Sequence, residues 1–467
     1  MAPMSRTLPS PRGLARRLLS MGRRRALDLS AYPSLAVPAT AISTLEGPAA
    51  FRETLLAMIG QARQRIVLVA LYLQDDDAGR EVLDALYAAH AATPGLSIEV
   101  YVDWHRARRG LIGKGSSEGN AAMYREYAQR HGDGVVIRGV PVQNRELFGV
   151  LHLKGFVIDG NVLYSGASLN DVYLERHGRY RLDRYHLIRH RALADSMADY
   201  VQAQFCDRDA VPRLDRERLP RTRELQEPIR RLRQSLQEAQ YTGVKEMPGE
   251  GEVAVIPLAG FGRSDNALNE VLLGLLRGAR QRVILLTPYF NLPRPVRVVI
   301  GQLLRRGCRL DIMVGDKEAN DFYIPPDQPF NRIGLLPYLY ESNLRRFART
   351  HQSAIDSGQL NLWLWRDGDN SYHLKGLFVD TEIAVLTGNN LNPRAWALDL
   401  ENGLVLRDSA GLLVAQHEAE WAALRKHATR LGHYRDLQGT RGYPPEVRRL
   451  FKRLRRVRLD RLISRLL

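Results

Sequence analysis

The fold of this chain is decided by the stretch His152-Leu-Lys154-Gly-Phe-Val-Ile-Asp159, which returns in the second half as His373-Leu-Lys375-Gly-Leu-Phe-Val-Asp380. Each copy is followed by a second segment of five residues, Gly166-Ala-Ser168-Leu-Asn170 in the first half and Gly388-Asn-Asn390-Leu-Asn392 in the second. A single His-x-Lys pair would indicate only two side chains on one face of a strand. The spacing within each segment is repeated, and only the connection from Asp to Gly differs, by one residue, so we interpret the two copies as duplicated units with a shared chemical role.

The repeated residue types suit chemistry on an anionic phosphoester. Strand alternation directs His152 and Lys154 to one side, and His373 and Lys375 likewise. If the halves pack face to face, two imidazoles and two ammonium groups meet in one pocket. A neutral imidazole can attack phosphorus while a protonated one protonates the leaving oxygen. We therefore expect no metal and no cofactor, since lysine and side-chain donors supply the positive charge. The candidate donors are Ser168, Asn170, Asn390 and Asn392.

The tandem His-x-Lys-x4-Asp segments resemble those of the phospholipase D superfamily. Four flanking stretches, at 164–173, 181–188, 287–293 and 388–396, resemble the bacterial CDP-diacylglycerol–serine O-phosphatidyltransferases of that superfamily. The resemblance runs from about Val67 to the C-terminus. It implies transfer of the phosphatidyl group from CDP-diacylglycerol to L-serine, with release of CMP, in phospholipid biosynthesis leading to phosphatidylethanolamine.

The resemblance also implies a mechanism. It suggests a phosphatidyl-histidine intermediate with His152 as the nucleophile, while His373 protonates the departing CMP and then deprotonates serine. In the superfamily, a carboxylate downstream of the motif hydrogen-bonds the second nitrogen of a catalytic histidine, and Asp183 and Glu401 are the candidates. Either could instead be a surface carboxylate. Asp159 and Asp380 face away from the lysines along a strand, so we expect structural hydrogen bonds from them.

The order of predicted elements is also repeated, which indicates a duplicated domain. We expect an α/β fold of two pseudo-symmetric phospholipase D-like halves, each a mixed β-sheet flanked by helices, with the active site at their interface. The predicted divisions are a basic N-terminal extension at 1–48, the first half at 49–210, a helical linker at 211–251, the second half at 252–432 and a basic amphipathic C-terminal helix at 433–467.

The composition narrows the class of protein. The chain has 467 residues, which favours two domains, and its formal net charge of +17 predicts a polyanionic partner such as nucleic acid, the ribosome or an anionic membrane. Its two cysteines fall in different halves. No stretch is long and apolar enough to span a bilayer, and the Arg-rich N-terminus lacks the apolar core of a secretory signal. We therefore expect a cytoplasmic protein, peripheral on the cytoplasmic face of the inner membrane.

Three further segments have two interpretations each. The turn at His105, Arg106 and Arg109 could bind a diphosphate or anionic head groups, or be only an exposed basic turn. The aromatic segment 321–340 could be a packed loop, or a loop at the mouth of the site that meets acyl chains.

The C-terminal segment 447–467 alternates apolar residues with Arg and Lys at helical spacing. It could lie on an anionic membrane, or pack on the protein with a solvated or RNA-binding face. A phospholipase or a nuclease would share the same site chemistry, whereas a protein that only binds nucleic acid would leave the duplicated motif unexplained.

Overall fold

The computed structural model of the chain describes residue 27 and residues 29–109, 119–325 and 327–456. The strands in these ranges are β1 (Leu35–Pro38), β2 (Ile42–Thr44), β3 (Arg65–Ala70), β4 (Ser97–Asp103), β5 (Val136–Val140), β6 (Phe156–Ile158), β7 (Asn161–Ser165), β8 (Arg181–Leu182), β9 (Tyr185–Ile188), β10 (Glu252–Gly260), β11 (Arg282–Leu286), β12 (Arg309–Gly315), β13 (Leu360–Trp365), β14 (Ser371–Tyr372), β15 (Gly376–Val379), β16 (Ile383–Thr387), β17 (Glu401–Arg407) and β18 (Ala428–Arg430).

The helices in the same ranges are α1 (Gly47–Gln61), α2 (Asp77–Ala92), α3 (Trp104–Ala107), α4 (Ala121–His131), α5 (Arg191–Phe205), α6 (Gln226–Glu238), α7 (Ala267–Gly278), α8 (Arg294–Arg305), α9 (Leu336–Thr350), α10 (Gln352–Asp356), α11 (Pro393–Ala397), α12 (Val414–Arg425) and α13 (Pro445–Arg456). No helix in the described ranges is both long and apolar enough to cross a membrane.

Two large sheets repeat one topology. The first has the strand order β2-β9-β7-β6-β3-β4-β5, and the second has the order β1-β10-β17-β16-β15-β11-β12-β13-β18. In both, three strands run parallel (β3, β4 and β5; β11, β12 and β13), and the strand that follows the motif histidine pairs antiparallel to the first of them. The predicted α/β fold of two pseudo-symmetric halves is therefore confirmed.

The sheets are buried on both faces, which explains their nearly continuous apolar strands. In β3, Val67 and Val69 face a core shared with the second half, while Ile66 and Leu68 face the first half's own core. Strand β11 alternates in the same way, with Ile284 on the shared side. The shared core also contains Leu151, Leu153, Leu374 and Leu400, which flank the motif histidines and Glu401. The two halves are thus held together around the site.

The predicted N-terminal extension is shorter than expected. Strand β1 pairs with β10 of the second sheet, and β2 pairs with β9 of the first. The segment from 35 to 44 therefore ties the two halves together instead of extending from them. Strands of four and three residues are too short to show a periodic pattern, which is why the sequence did not predict them. The Arg-rich residues before 27 lie outside the described ranges.

The linker and the C-terminal segment both pack against the body of the protein. The predicted helical linker contains α6, which buries Ile229, Leu232 and Leu236. At the C-terminus the helix begins only at Pro445, because the residues from 433 to 444 form turns and bends joined by irregular backbone.

The first turns of α13 are not free to bind a membrane through their apolar side. Val447 and Phe451 are buried against Leu335 and Leu339. The expectation that these two side chains enter a membrane is therefore wrong. The residues from 457 to 467 lie outside the described ranges.

Candidate active site

Each motif histidine sits on a segment that pairs with the opposite half. Leu151 forms a parallel bridge with Leu400, and the backbone N–H of His152 donates to the Leu400 carbonyl at 2.9 Å. In the second motif, β14 pairs with β8, and the backbone N–H of His373 donates to the Leu182 carbonyl at 2.9 Å. The strand that follows the first motif histidine, β6, begins only at Phe156. The preceding residues are extended because the other half provides their hydrogen bonds.

The motif aspartates are structural, as predicted. The Asp159 carboxylate accepts the backbone N–H groups of residues 63–65 at 2.8–3.3 Å. Asp380 accepts those of residues 280–282 over the same range. Both aspartates have a left-handed backbone, with φ of 50° and 52°. Each one fixes the loop that leads into the first parallel strand of its half.

His152 is held by Glu401 from the other half. Both carboxyl oxygens of Glu401 lie 2.9 Å from His152 Nδ1. The two side chains are almost fully buried. Burial lowers the pKa of His152 well below its usual range, and the nearby Lys154 and Lys375 lower it further. Burial also raises the pKa of Glu401. With Nδ1 engaged by a carboxyl group, Nε2 is the nitrogen available for chemistry.

His373 has a different set of partners at Nδ1. The Tyr173 hydroxyl lies 2.8 Å from this nitrogen, and the Lys375 ammonium group contacts it as well. Asp183 accepts from Lys375 Nζ at 2.7 Å and lies 3.6 Å from His373 Nδ1. Burial lowers the pKa of His373 to about 4, and Lys375 adds to this effect. An ammonium group can only donate, so a neutral His373 in this arrangement carries its proton on Nε2.

The two carboxylates therefore cross between the halves. Burial alone would raise the pKa of Asp183, but Lys375 and His373 outweigh it and lower that pKa below its ordinary value. The structure thus places both candidate carboxylates at the histidine pair and excludes the surface interpretation, since Asp183 and Glu401 are 3% and 1% exposed.

The two lysines differ in their partners. Lys154 Nζ is buried without a hydrogen-bond partner among the described residues, whereas Lys375 Nζ contacts Asp183. Burial lowers the pKa of Lys154 to about 7, and Lys375 contributes to the shift. The backbone of Lys154 is clasped by the Asn402 amide, which accepts from its N–H and donates to its carbonyl, both at 2.8 Å. Lys154 is therefore rigidly placed, and its ammonium group has no acceptor in the part of the chain that the structure describes.

The glycines of the two Gly-x-x-x-Asn segments allow side chains of the site to approach the backbone closely. A Cβ at Gly166 would lie 2.7 Å from the Asp183 carboxylate oxygens, and a Cβ at Gly388 would lie 2.5 Å from Lys154 Cγ. Asn170 accepts from the Tyr173 N–H at 3.1 Å, and Asn392 caps α11 by accepting from the Ala395 N–H at 2.8 Å. Both asparagines thus use their oxygen structurally.

The other two predicted donors lie in the middle of these segments. Ser168 is 2% exposed, which places it in the buried part of the first segment. Asn390 Oδ1 is buried without a hydrogen-bond partner in the described part of the chain.

The predicted basic turn lies beside His152. Arg106 NH1 and Arg109 NH2 lie 3.5 and 3.0 Å from Glu146 Oε1, and Arg394 NH2 donates to the Glu146 carbonyl at 2.7 Å. Asp103 accepts from the N–H groups of this turn and also, at 2.9 Å, from the N–H of Leu151. The turn is therefore fixed directly to the residue before the catalytic candidate. His105 itself contacts the Gln143 carbonyl at 2.8 Å through Nε2.

Sequence reasoning missed five side chains at this site. Tyr173 contacts His373 Nδ1, and Tyr289 presents an edge to the same imidazole with ring centroids 5.8 Å apart. Asp321 accepts from the Tyr289 hydroxyl at 3.0 Å, and Arg181 lies 2.7 Å from Asp321. Arg394 is the fifth. All but Asp321 fall inside the four stretches that carried the family resemblance, which was the only sequence signal for them.

One part of the aromatic segment 321–340 lies at the site, and another part is packed against the protein. Asp321 lies at the site, and Tyr340 stacks on Tyr289 with centroids 5.0 Å apart. Leu335 and Tyr338 pack instead against α13. Within the described residues, no group of three or more His, Cys, Asp or Glu side chains is arranged to hold a metal ion.

Comparison with known proteins gives consistent results. A family model described as "Cardiolipin synthase, PLD-like domain" matches residues 272–424. The chain is 49% identical over 440 residues to the CDP-diacylglycerol–serine O-phosphatidyltransferase of Escherichia coli K12, covering 94% of this chain and 97% of that protein. It is 45% identical to the enzyme of the same name from Haemophilus influenzae Rd, covering 96% and 100%. The crystal structure of the Haemophilus influenzae phosphatidylserine synthase matches with a TM-score of 0.91 at 46% identity, over 94% of this chain and 98% of that one.

Proposed function

Since the chain belongs to the CDP-diacylglycerol–serine O-phosphatidyltransferase family of phospholipase D-like enzymes, we propose that it makes phosphatidylserine through a phosphatidyl-histidine intermediate. CDP-diacylglycerol donates the phosphatidyl group, L-serine accepts it and CMP is released. The product can then serve as a precursor of phosphatidylethanolamine. The observation that carries the proposed mechanism is the difference between the two histidines. Nδ1 of His152 faces a carboxyl group, whereas Nδ1 of His373 faces an ammonium group and a phenol.

In the first step, His152 Nε2 attacks the phosphorus atom that bears the diacylglycerol. Glu401 accepts Nδ1–H, which leaves the Nε2 lone pair free and stabilises the positive charge that develops on the ring. The bond between phosphorus and the bridging oxygen of the diphosphate breaks, and that oxygen leaves with CMP. His373 Nε2–H donates its proton to this oxygen. As it does so, Lys375 supplies a proton to His373 Nδ1, so the imidazole stays neutral.

In the second step, the roles at His373 are reversed. Its Nε2 now has a lone pair and takes the proton of the serine hydroxyl, while Nδ1 returns its proton to Lys375. The serine oxygen attacks the phosphatidyl-histidine, the P–N bond breaks and His152 is restored. Asp183, which lies 2.7 Å from Lys375 Nζ, keeps the lysine in its charged form between turnovers.

The remaining cations are suited to the phosphates. Lys154 has a buried ammonium group with no acceptor in the described chain, so a phosphoryl oxygen would supply the missing partner. Arg106, Arg109 and Arg394 lie around Glu146 beside His152, and Arg394 also pairs with Asp399. Three cations for two carboxylates leave one positive charge in excess for the diphosphate.

The lipid chains need an apolar surface next to this site. A cavity of about 830 Å³ lies between α8, α9 and α11, with Phe290, Leu292, Phe347 and Trp396 among its lining residues. It adjoins the site because Phe290 follows Tyr289 and α11 follows Asn392. We assign this cavity to the acyl chains of CDP-diacylglycerol. Its size is in the range of ligand pockets, about 300–1,000 Å³.

The surface around the cavity is suited to a membrane. The cavity is also lined by Arg263, Arg294 and Arg346, which are exposed to solvent and can contact lipid phosphates. Leu147 and Phe148, directly after Glu146, are 52% and 45% exposed. Since serine is cytosolic, we propose that the enzyme binds its lipid from the cytoplasmic face of the membrane.

The mechanism can be tested with CDP-diacylglycerol labelled in the phosphatidyl group. The unchanged protein should release CMP, form phosphatidylserine only when L-serine is present and yield an acid-labile labelled protein when it is absent. His152→Ala should give no labelled protein. His373→Gln should form it slowly and then accumulate it, because the CMP phosphate is a weak base that can leave without a proton, whereas the serine hydroxyl needs a base to attack. Labelling of His152→Ala, or inversion of configuration at phosphorus, would contradict a phosphatidyl-His152 intermediate.

A further inference from the structure

An ion pair next to His373 contains two polar atoms that lack a well-formed hydrogen bond within the described residues. Arg181 Nε lies 2.7 Å from Asp321 Oδ1, but neither atom completes a hydrogen bond of acceptable geometry within the described chain. The two side chains are 19% and 9% exposed. A buried polar atom without a hydrogen bond costs about 1–3 kcal/mol. Such atoms are expected where a ligand supplies the missing partner.

The pair is positioned by aromatic side chains that also contact His373. The Arg181 guanidinium lies over the Tyr173 ring, 4.8 Å from its centroid, and the Tyr173 hydroxyl lies 2.8 Å from His373 Nδ1. On the other side, Asp321 accepts from the Tyr289 hydroxyl, and the Tyr289 ring meets His373 edge-on. A molecule that contacts Arg181 and Asp321 is therefore close to the imidazole that handles the acceptor's proton.

We propose that Arg181 and Asp321 form the L-serine site, in which the guanidinium binds the α-carboxylate and the Asp321 carboxylate binds the α-ammonium group. The proposal rests on the proposed function and identifies the residues that select the acceptor. The serine hydroxyl then points towards His373 Nε2. No bond other than those of the second step forms or breaks.

Charge balance favours a zwitterion over a phosphate at this position. Arg181 and Asp321 together carry no net charge, and an adjacent carboxylate repels a polyanion. By contrast, the cluster of Arg106, Arg109 and Arg394 has three cations for two acidic side chains, Glu146 and Asp399. The two charged regions thus correspond to the two substrates. The cationic cluster suits the diphosphate of the donor, and the neutral pair suits the amino acid.

The arrangement also explains how water and simple alcohols can be excluded. A site built to pair a charged group rejects a molecule that lacks this group, because its own buried partner is then left unpaired. Ethanolamine lacks the carboxylate and would leave Arg181 unsatisfied. 3-Hydroxypropionate lacks the ammonium group and would leave Asp321 unsatisfied. Each loss should cost roughly 10–100-fold in kcat/KM.

The test compares these three acceptors with two single variants. Asp321→Asn should lose its discrimination against 3-hydroxypropionate while it keeps its discrimination against ethanolamine. Arg181→Gln should show the opposite pattern, and Arg181→Lys, which keeps the charge, should recover part of the lost selectivity. Asp215→Asn is a matched control, because Asp215 forms a comparably buried pair with Arg213 on the outer side of the first half. The control should have the acceptor ratios of the unchanged protein.

Removing one partner of a buried ion pair can destabilise the fold. The double variant Arg181→Gln/Asp321→Asn removes both charges and provides a second test, in which folding is monitored by circular dichroism. It should be folded and should lose both discriminations. If the single and double variants keep the acceptor ratios of the unchanged protein, the pair is structural and the proposal is wrong. If the unchanged protein itself makes no phosphatidylserine, the proposed function fails instead.

Discussion

Glu401 reaches across the interface between the halves and places both of its carboxyl oxygens 2.9 Å from Nδ1 of His152. In the opposite direction, Asp183 of the first half accepts a hydrogen bond from Lys375 and lies 3.6 Å from Nδ1 of His373. Each half therefore holds the carboxylate that serves the other half's motif. It follows that neither half alone contains a complete catalytic histidine.

The first prediction separates the two carboxylates by the step that each one serves. Glu401→Gln should lower kcat by about 10²–10⁴, because an amide no longer fixes Nδ1–H and the nucleophilic lone pair is lost. No phosphatidyl-enzyme should be detected. Asp183→Asn should also lower kcat, but here the labelled enzyme should accumulate, because Lys375 loses the carboxylate that stabilises it when it takes its proton back in the second step. Labelled CDP-diacylglycerol and rapid acid quenching measure both.

The same pattern in both variants would contradict this division of roles. Thermal unfolding provides the control for structural damage, and Asp408→Asn is a useful reference variant. Asp408 is buried and accepts from the N–H groups of Leu412 and Leu413, at the end of β17 away from the site.

The second prediction concerns metal ions. Lys154 and the arginine cluster already provide positive charge where a divalent ion would act, so EDTA should leave most of the turnover intact. The measurement is CMP release after chelation, with and without added Mg²⁺ or Mn²⁺. Activity that is lost with EDTA and restored only by one of these ions would contradict it. The contribution of Lys154 to this positive charge can be checked separately. Lys154→Met should lower kcat strongly while leaving the protein folded.

Much of the fold could be predicted because the sheets are buried on both faces. Strands such as β3 and β12 then read as continuous apolar runs, and helices such as α2 have their own caps, with Asp76 accepting from the Gly79 N–H at 3.0 Å. Strand β10 was missed. Its Pro257 argues against a central strand, and it is tolerated because β1 covers β10 only from Glu252 to Val255.

The candidate site was predictable in part for a different reason. The duplicated motif identified His152, Lys154, His373 and Lys375, and the family resemblance suggested carboxylates. The sequence could not show that the carboxylates cross between halves, because this depends on the pairing of Leu151 with Leu400 and of β14 with β8. The ion pair of Arg181 and Asp321 joins distant parts of the chain in the same way, and no local pattern predicts it.

The third prediction is a loss of stability in mild acid. His186 is buried, neither ring nitrogen has a hydrogen-bond partner in the described chain, and burial lowers its pKa to about 3. A lowered histidine pKa means that the unfolded state binds more protons below about pH 6.5. Stability should therefore fall as the pH falls from about 6.5 towards 4, by up to about 1.4 kcal/mol per pH unit for each such histidine.

Urea unfolding at a series of pH values measures this effect. His186→Phe should reduce the slope of unfolding free energy against pH in that window. The catalytic candidates His152 and His373 should contribute to the slope in the same direction, because their pKa values are also lowered. A His186→Phe slope equal to that of the unchanged protein would contradict the assignment.

The fourth prediction concerns the C-terminal helix. Arg448, Arg449, Lys452 and Arg453 of α13 are exposed, while Val447 and Phe451 are buried. Changing the four cations to Gln should weaken flotation with anionic vesicles, since each is worth roughly 1 kcal/mol near such a surface. Higher salt should have the same effect. Phe451→Ala should instead lower thermal stability. Association with ribosomes or RNA in lysates would come from the same cations, so it does not test whether α13 binds a membrane.

Exposed cations on α6 provide a control for the loss of charge alone. Replacement of Arg230 and Arg231 by Gln should have less effect on vesicle binding, because α6 lies in the connection between the halves. If the α13 variant floats as well as the unchanged protein, this helix is a structural element and the membrane is contacted elsewhere.

The last prediction places the membrane at the mouth of the site. Leu147 and Phe148 are exposed beside the arginine cluster, and Trp396 lines the cavity assigned to the acyl chains. Leu147→Ser/Phe148→Ser should weaken vesicle binding, whereas Trp396→Ala should mainly raise KM for long-chain CDP-diacylglycerol and have less effect with a short-chain analogue. Leu412→Ser, a change at an exposed leucine at the far end of β17, is the control and should alter neither. An equal loss with short and long chains in Trp396→Ala would place the acyl chains outside this cavity, because a residue that contacts only the distal methylenes cannot affect a substrate that lacks them.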